Sequence, residues 1–425
     1  MMIHRTKNKI HHLSKHYGQK LGLDLPYFVK NGFWVVVRQF VEVVAGISIS
    51  IVFARLASQE VYGQYQFILS IFATISVLSI PGLNTSIIKS TAEEKDGEYK
   101  NIVKISFFWS FLGIPILFAI GMYYYLTGGA ALGIALIIAS IFFPFFYAPN
   151  TWYSFLQGKK RFDVLARFGA MQALLNATAT IIVIFFYRNS LVAITLTYLV
   201  SYTFFNTFYY FKSLKYIENS TRDAAAISYG FFLTKLSVIG IVSANIDKIL
   251  IGIFLSPVDL AVYSIGILIT NQLQSISKGF LVIISVKAIK QKILTKKIYL
   301  KIFIFGIFAA IACVFSFRLV VPLLFSSKYD AAVLLAEISM IFFPFYLINL
   351  LYSNEYTFAA RKSILLKNSI IAPVMQIVLI VIVLPTFGIR GMAFLFGLRN
   401  LLAPLTLYVL NHSEKRKSSA VELAS

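Results

Sequence analysis

Two ionisable residues, Arg38 and Glu42, interrupt a long apolar stretch near the start of the chain. A charge at the centre of a bilayer costs about 2.5 to 3.5 kcal/mol on insertion scales, so such residues are rare without a purpose. The two positions are four apart, so they share one face of a helix and can pair. The pair is therefore either a structural ion pair between packed helices or part of a water-filled functional cavity.

A polar ridge formed by Asn271, Gln274 and Lys278 lies in a second apolar stretch. Spacings of three and four residues place these side chains on one helix face. A single polar side chain can hold two membrane helices together, whereas a ridge of amides and an ammonium is unsuited to lipid. The ridge predicts that this face borders a hydrated cavity.

Within the apolar stretches, Lys and Arg residues outnumber Asp and Glu residues. This excess of positive charge implies an anionic ligand. Arg399 lies near mid-membrane, where its side chain cannot easily reach the surface. Arg38, Lys235 and Lys278 lie nearer the inner surface. The predicted substrate-binding residues are Arg38, Lys235, Lys278, Arg399, Asn271 and Gln274, and the predicted ion-coupling or structural residues are Glu42, Asp247, Lys248 and Glu337.

The composition indicates a polytopic membrane protein: 58% of the residues are hydrophobic and 13% are charged, against about a quarter charged in soluble domains. A net charge of +22 would suggest a nucleic-acid partner in a soluble chain. Here the Lys and Arg residues concentrate in short loops, which a topology rule explains without nucleic acid. The single cysteine, Cys313, excludes a disulfide framework within the chain.

Motifs typical of enzymes are missing from the sequence, which has no P-loop, no G-x-S-x-G and no metal-ligand pairing of histidines within a span. We therefore predict no catalytic residues, no metal and no cofactor. The loops between apolar stretches are also too short to fold as domains, so function must lie between the helices. The class of protein that remains is a membrane carrier that does not use ATP.

The apolar segments are long enough to cross a bilayer as helices, each of which needs about 20 residues. The segments lie near residues 31–55, 65–87, 102–125, 130–152, 168–187, 191–211, 228–254, 260–286, 299–325, 331–354, 365–385 and 391–410. Most Lys and Arg residues lie on the side of the basic N-terminal arm. The loops of the other side hold only Arg55, Arg188, Arg318, Lys328 and Arg390. This asymmetry predicts twelve spans with both termini in the cytoplasm.

The chain also repeats itself, which predicts two related halves. Gly32 to Trp34 resembles Gly230 to Phe232, and the sequence IFFPF occurs at Ile141–Phe145 and again at Ile341–Phe345. Repeats related by an axis along the membrane normal are a known transporter plan, with the site at their interface. The predicted units are a six-helix lobe at residues 1–212, a cytoplasmic linker at 213–226 and a second six-helix lobe at 227–425.

Three segments resemble a known family. ARLASQEVYGQYQF at Ala54–Phe67 is similar to the segment that follows the first helix of bacterial polysaccharide exporters. IDKILIGIFLSPVDLAVYSIG at Ile246–Gly266 is similar to their segment after helix seven, and PGLNTSIIKSTAE at Pro81–Glu93 to the end of helix two. The family is the Wzx-type oligosaccharide flippases of the multidrug/oligosaccharidyl-lipid/polysaccharide (MOP) exporter superfamily. The chain departs from the family pattern at Ala57, Ser58 and Ala261.

That resemblance implies two six-helix lobes around a central cationic cavity that opens alternately to the two sides of the bacterial cytoplasmic membrane. The implied function is transfer of a polyprenyl-pyrophosphate-linked oligosaccharide from the cytoplasmic to the outer leaflet for O-antigen, capsule or exopolysaccharide synthesis. The expected partners are membrane lipid and, in the pathway, a polysaccharide polymerase and a chain-length regulator. The alternative is a multidrug or other lipid exporter of the same superfamily. A membrane polymerase or acyltransferase is disfavoured because long outer loops are missing.

Overall fold

The protein is helical throughout the part that its computed structural model describes, namely the backbone of residues 25–290, 295–358 and 362–424 and the side chains of residues 32–278, 281, 295–357 and 363–413. No strand occurs in these ranges. The first half contains α1 (Leu25–Leu56), α2 (Gln59–Ile75), α3 (Gly82–Ala92), α4 (Tyr99–Ser110), α5 (Gly113–Leu126), α6 (Ala130–Tyr147), α7 (Trp152–Gly158), α8 (Phe162–Phe186) and α9 (Leu191–Ser213). The second half contains α10 (Ala226–Ser243), α11 (Ile246–Phe254), α12 (Pro257–Lys290), α13 (Lys296–Phe325), α14 (Asp330–Ile341), α15 (Phe343–Phe358) and α16 (Lys362–Ala424). The predicted all-α membrane fold is confirmed.

Apolar helices of spanning length run through both halves. Among the described residues, nine helices are long and apolar enough to cross a membrane, or ten if the bent pair α14 and α15 forms one span. The chain is therefore a multi-pass membrane protein. The count of twelve spans and the cytoplasmic location of the termini stay predictions. The N-terminal arm before Leu25 lies outside the described residues.

Several predicted spans are broken, and the breaks have local causes. Ile80 adopts the left-handed conformation (φ 55°) just before Pro81, which separates α2 from α3. Gly388 (φ 55°, ψ −146°) divides α16 into two helical segments, and this division falls between the predicted spans 365–385 and 391–410. Pro81 and Pro344 lie at the start of a helical segment, where a missing N–H costs no hydrogen bond. Pro144 lies inside α6 and precedes a short 3₁₀ turn.

The helices of each half pack mainly on one another. In the first half α1 packs on α8, and α6 packs on α5 and α9. In the second half α12 and α13 pack on α14 and α15, which in turn pack on α16. The two halves meet where α2 contacts α11 and α12 and where α3 contacts α10. This arrangement agrees with two lobes, and their residue boundaries remain a prediction.

One end of the bundle, which we call the linker end, is defined by an ion cluster around Lys159. The ammonium lies 3.0 Å from Asp96 Oδ2 and 2.8 Å from Glu218 Oε2. Asp96 also accepts the backbone N–H of Glu218, and its own N–H donates to the side chain of Asn219. The Lys159 ammonium thus holds the connection between the halves, residues 217–225, against the first half.

The opposite end, which we call the far end, is closed by contacts between the halves. Arg55, at the end of α1, donates to the carbonyls of Leu323 and Leu324 at the end of α13. Gln59 Nε2 donates to the Lys328 carbonyl at 2.7 Å. Carbonyls at a helix C-terminus lack intrahelical partners and carry partial negative charge. A guanidinium there donates hydrogen bonds to these carbonyls and offsets their negative charge.

Close backbone contacts also join α3 to α10. The Gly82 N–H donates to Thr234 Oγ1 at 2.9 Å, and a Cβ at Gly82 would lie 2.1 Å from the Gly230 carbonyl. Ser86 donates to the Ala226 carbonyl at 2.5 Å. The halves therefore touch at both ends of the bundle, along different helices.

Candidate functional site

The first polar centre is the pair Arg38 and Glu42 on α1. Arg38 Nη1 donates to Glu42 Oε1 at 2.6 Å, so the predicted pairing is confirmed. The guanidinium also lies 4.8 Å from the centre of the Tyr153 ring, a cation–π contact. Gly169 on α8 makes room for the pair, since a Cβ there would lie 2.9 Å from Arg38 Cδ. Within this conformation the Arg38 charge is largely neutralised by Glu42.

The second polar centre is a cavity of about 250 Å³ inside the second half, which we call the C-lobe cavity. It is formed by α12, α15 and both segments flanking Gly388 in α16. Its lining residues are Gln274, Tyr346, Asn349, Ala372, Pro373, Gln376, Leu379, Leu395, Arg399, Asn400, Leu402 and Ala403. Two of the predicted substrate-binding residues, Gln274 and Arg399, are thus brought together.

Two amide side chains in the wall of this cavity are buried and each has a nitrogen without a hydrogen-bond partner. Gln274 and Asn400 are 6% and 4% exposed. Gln274 Nε2 and Asn400 Nδ2 are both buried without a hydrogen-bond partner. Arg399 lies 4.0 Å from the centre of the Phe396 ring and forms no salt bridge among the described side chains. Buried donors left unpaired cost about 1 to 3 kcal/mol each, so the two amides are a destabilising feature of this wall.

Other lining groups are already satisfied. Gln376 accepts the Ser243 hydroxyl at 3.0 Å, which joins α16 to α10. The Tyr346 hydroxyl donates to the Gln274 backbone carbonyl at 2.9 Å. These bonds fix the walls of the cavity.

Asp247 and Lys248 lie beside the cavity on α11. Asp247 is buried, and its carboxylate accepts the Tyr263 hydroxyl at 2.6 Å and the Lys248 backbone N–H at 2.8 Å. The Lys248 ammonium interacts electrostatically with both Asp247 and Arg399. The carboxylate therefore ties α11 to α12.

The other predicted site residues lie elsewhere. Lys235 and Lys278 are exposed, Asn271 is half-buried, and none of the three lines the C-lobe cavity. Glu337 pairs with Arg318 at 2.9 Å beside a groove at the far end of the bundle. The structure thus distributes the predicted residues over several places instead of joining them in one cavity.

Sequence reasoning missed Asn349, Gln376 and Asn400 in the cavity wall. Each is an amide within a predicted span, and intramembrane polar residues commonly face a bundle interior. The signal was therefore present, but an amide within a span does not by itself show whether it lines a cavity or joins two helices.

Comparison with known proteins gives a family and a fold. The sequence profile of the family described as polysaccharide biosynthesis protein matches residues 28–289. No curated protein matches the chain.

Several solved structures share the fold. One is an inward-facing multidrug resistance MATE family transporter of the MOP superfamily. The match has 14% sequence identity and a TM-score of 0.66, and it covers 92% of this chain and 99% of that chain. Another is the lipid II flippase MurJ in an inward closed conformation, at 14% identity, 89% and 87% coverage and a TM-score of 0.67. A third is a MOP superfamily transporter from Pyrococcus furiosus whose binding pocket has reverse polarity, at 14% identity, 91% and 95% coverage and a TM-score of 0.61. Identities this low establish the fold and leave the substrate open.

Proposed function

Since the chain belongs to the polysaccharide biosynthesis protein family, we propose that it is a flippase for polyprenyl-pyrophosphate-linked oligosaccharide. The lipid-linked unit would move from the cytoplasmic to the outer leaflet of the bacterial cytoplasmic membrane. This places the chain with the Wzx-type flippases of the MOP superfamily, upstream of a polysaccharide polymerase and a chain-length regulator. The shared fold with MurJ, itself a flippase of a lipid-linked substrate, supports the proposal.

The main support for this proposal is that the acids within the predicted spans have partners, whereas several cations there form no salt bridge in the described part of the chain. Each acid predicted within a span has a partner: Glu42 has Arg38, Asp247 has Tyr263 and Glu337 has Arg318. Lys235, Lys278 and Arg399 form no salt bridge among the described side chains. Cations left over in this way suit an anionic substrate, since the pyrophosphate and any acidic sugars need counter-charge in a medium of low dielectric.

A membrane potential can drive such a substrate outward. With the cytoplasm negative by 100 mV, outward movement of one negative charge is favoured by about 2.3 kcal/mol. Because this driving force acts without protons, a carboxylate that carries protons is not required, and Glu42 is paired with Arg38. Arg38 becomes available to the substrate only when that ion pair opens.

The second candidate is a multidrug or other lipid exporter, which the fold shared with MATE transporters favours. A cationic drug would need a free carboxylate within the bundle. All three predicted acids are engaged, and Arg399 in the C-lobe cavity would repel it. The sign of the charge therefore disfavours a cationic drug.

The test is transport in vesicles that contain the purified protein. Parent vesicles should flip a lipid-linked oligosaccharide and should not accumulate a cationic dye. Arg399→Glu should abolish flipping, and Arg399→Lys should reduce it because the bidentate geometry of a guanidinium is lost. Arg390→Glu is the matched control, since Arg390 is an exposed arginine of the same helix. Dye export without sugar flipping would refute the proposal in favour of the drug exporter.

A further inference from the structure

One face of α9 carries an exposed apolar stripe that runs along the helix and ends in lysines. Its members recur at intervals of four and three residues, so they share one face of the helix. The members of this stripe, which we call the α9 stripe, are Leu196, Val200, Phe204, Phe208 and Phe211. Every exposed residue of α9 before Lys212 belongs to the stripe. Lys212 and Lys215 continue the same spacing at the linker end.

The length of the α9 stripe matches one leaflet of a bilayer. The apolar helical stretch Leu191–Tyr216 has 26 residues, which is about 39 Å at 1.5 Å per residue. This length exceeds the hydrocarbon core of about 30 Å, so the lysines at its end lie among lipid headgroups. From Val200 to Phe211 the stripe covers about 16 Å, half the thickness of the core. The stripe thus offers acyl chains an apolar surface that leads to the lysines.

Cations from two parts of the chain converge at the lysine end of the stripe. The Tyr216 ring has the Arg161 guanidinium 4.8 Å from its centre and the Lys215 ammonium 5.1 Å from its centre. Arg161 comes from the turn between α7 and α8, so the fold brings it to the end of α9. The Lys212 ammonium lies 5.4 Å from the centre of the Phe208 ring. Like charges gathered in this way repel one another unless an anion lies between them.

The nearby acids do not neutralise these lysines. Asp163 accepts two hydrogen bonds from Arg161, at 3.1 and 3.2 Å, and Glu218 pairs with Lys159 at 2.8 Å. Lys212 and Lys215 form no salt bridge with any side chain in the described ranges. We propose that the lysine end of the α9 stripe binds the headgroup of an anionic phospholipid in the leaflet at the linker end.

The charge of the patch favours an anionic lipid over a zwitterionic one. The phosphodiester of phosphatidylglycerol carries one negative charge, which two ammonium groups can hold by charge-assisted hydrogen bonds. The phosphate of phosphatidylcholine comes with a quaternary ammonium group, which the same lysines repel. Attraction between a basic side chain and an anionic membrane surface corresponds to about fivefold in affinity for each lysine, hence roughly twentyfold for two.

The position of the α9 stripe separates this lipid from a transported substrate. α9 packs mainly on α6 and α8 of its own half, and the stripe lies on the exposed outer face. Neither Lys212 nor Lys215 lines the C-lobe cavity. The lipid is therefore a bound partner of the first half, and the inference does not rest on the proposed function.

The experiment is native mass spectrometry of the purified full-length protein during titration with phosphatidylglycerol or phosphatidylcholine of identical acyl chains. The peak intensities give the dissociation constant of the first lipid bound. For the parent, phosphatidylglycerol should bind about twentyfold more tightly than phosphatidylcholine, as two lysines require.

Paired variants test whether the two lysines are responsible. Lys212→Gln with Lys215→Gln should weaken the first phosphatidylglycerol to the level of phosphatidylcholine, while Lys212→Arg with Lys215→Arg keeps the charge and should retain the preference. The matched control is Lys89→Gln with Lys104→Gln. These exposed lysines also lie towards the linker end, each over a separate aromatic ring, and their loss should leave the first binding constant unchanged.

Three results would overturn the site. Equal affinity of the parent for the two lipids means that the stripe contacts bulk lipid without selection. Equal losses in the Lys212/Lys215 and Lys89/Lys104 glutamine variants mean a diffuse effect of net charge. Displacement of the first phosphatidylglycerol by equimolar polyprenyl pyrophosphate assigns the lysines to a transported substrate instead. The parent comparison decides even if a variant fails to fold, and it stands whether or not the protein flips lipid-linked sugar.

Discussion

A buried carboxylate with one cationic partner makes Lys159 the least replaceable lysine of the linker end. The Asp96 side chain is fully buried, and the Lys159 ammonium neutralises it. Breaking a buried pair from one side leaves an unpaired charge and costs about 3 kcal/mol or more. Lys159→Met should therefore lower the melting temperature clearly.

The control for Lys159→Met is Lys160→Met, since Lys160 is the exposed neighbour. Glu218→Gln should have a smaller effect than Lys159→Met, because Glu218 is exposed and Asp96 keeps its partner. Equal melting temperatures for the parent and Lys159→Met would show that the ion cluster does not hold the linker.

Glu218 gives this cluster a defined pH dependence. Its hydrogen bond and attraction to the Lys159 ammonium lower its pKa below the ordinary value of 4.5. A lowered pKa in the folded state means that the contribution to stability is present above 4.5 and is lost as the pH falls through the folded value. The melting temperatures of the parent and Glu218→Gln should thus differ at pH 7 and converge below pH 4.5.

Glu94→Gln serves as the control for this pH dependence, because Glu94 is an exposed carboxylate without a salt bridge among the described side chains. The difference in melting temperature between the parent and Glu94→Gln should be the same at pH 7 and at low pH. A Glu218→Gln difference that grows as the pH falls would contradict the stated sign.

At the residue scale, local spacing predicted some contacts and not others. The Arg38–Glu42 pair could be predicted because four residues along a helix bring two side chains together whatever surrounds them. The partner of Glu337 could not, since Arg318 lies on another helix. The convergence of Gln274 with Asn400 likewise depends on helix packing, which one sequence does not reveal.

Helix packing at the interface between the halves depends on glycine at one position of α2. A Cβ at Gly63 would lie 1.7 Å from the carbonyl oxygen of Pro257 at the start of α12. Gly63→Ala must therefore push α2 away from α12, and overpacking of this kind costs about 1 to 3 kcal/mol. We expect a lower melting temperature and slower transport.

Gly46→Ala is the matched control, because Gly46 is also helical and has no atom within 4 Å of its added Cβ. Since alanine favours helix over glycine by about 1 kcal/mol, Gly46→Ala should be neutral or stabilising. If Gly63→Ala behaved like Gly46→Ala, the close approach of α2 and α12 would be wrong.

At the element scale, hydrophobic length predicted where helices lie, and it could not predict every break. Each apolar segment is mostly helical because a bilayer requires backbone hydrogen bonds to be satisfied locally. The left-handed conformation of Ile80 is different, since a β-branched residue does not favour it and tertiary packing must hold it. The division of α16 at Gly388 was predicted, since it lies between the apolar segments 365–385 and 391–410 and glycine readily adopts a positive φ.

The far end of the whole molecule must open if the substrate leaves on that side. Its closure includes the contact between Gln59 and the Lys328 carbonyl. A cleavable crosslinker between Gln59→Cys and Lys328→Cys, with Cys313→Ser to remove the native thiol, should stop flipping until the crosslink is cleaved. Each single cysteine variant should transport normally after the same treatment.

Persistent flipping by fully crosslinked protein would mean that the far end does not open during transport.

The sequence repeat predicted that two halves exist and meet, since both halves carry related segments. It could not predict which contacts close the far end, because a single sequence encodes every conformation of the transport cycle.

The central claim is that cations, Arg399 above all, handle an anionic substrate whose export the membrane potential can drive. The most direct measurement is flipping of lipid-linked oligosaccharide in vesicles with a membrane potential and no pH gradient, for the parent, Arg399→Ala and Glu42→Gln. We predict that the parent flips, that Glu42→Gln retains most of the rate and that Arg399→Ala loses at least about tenfold, the effect of removing one charged hydrogen bond. Normal transport by Arg399→Ala together with loss of transport by Glu42→Gln would contradict the account and favour a carboxylate-coupled mechanism.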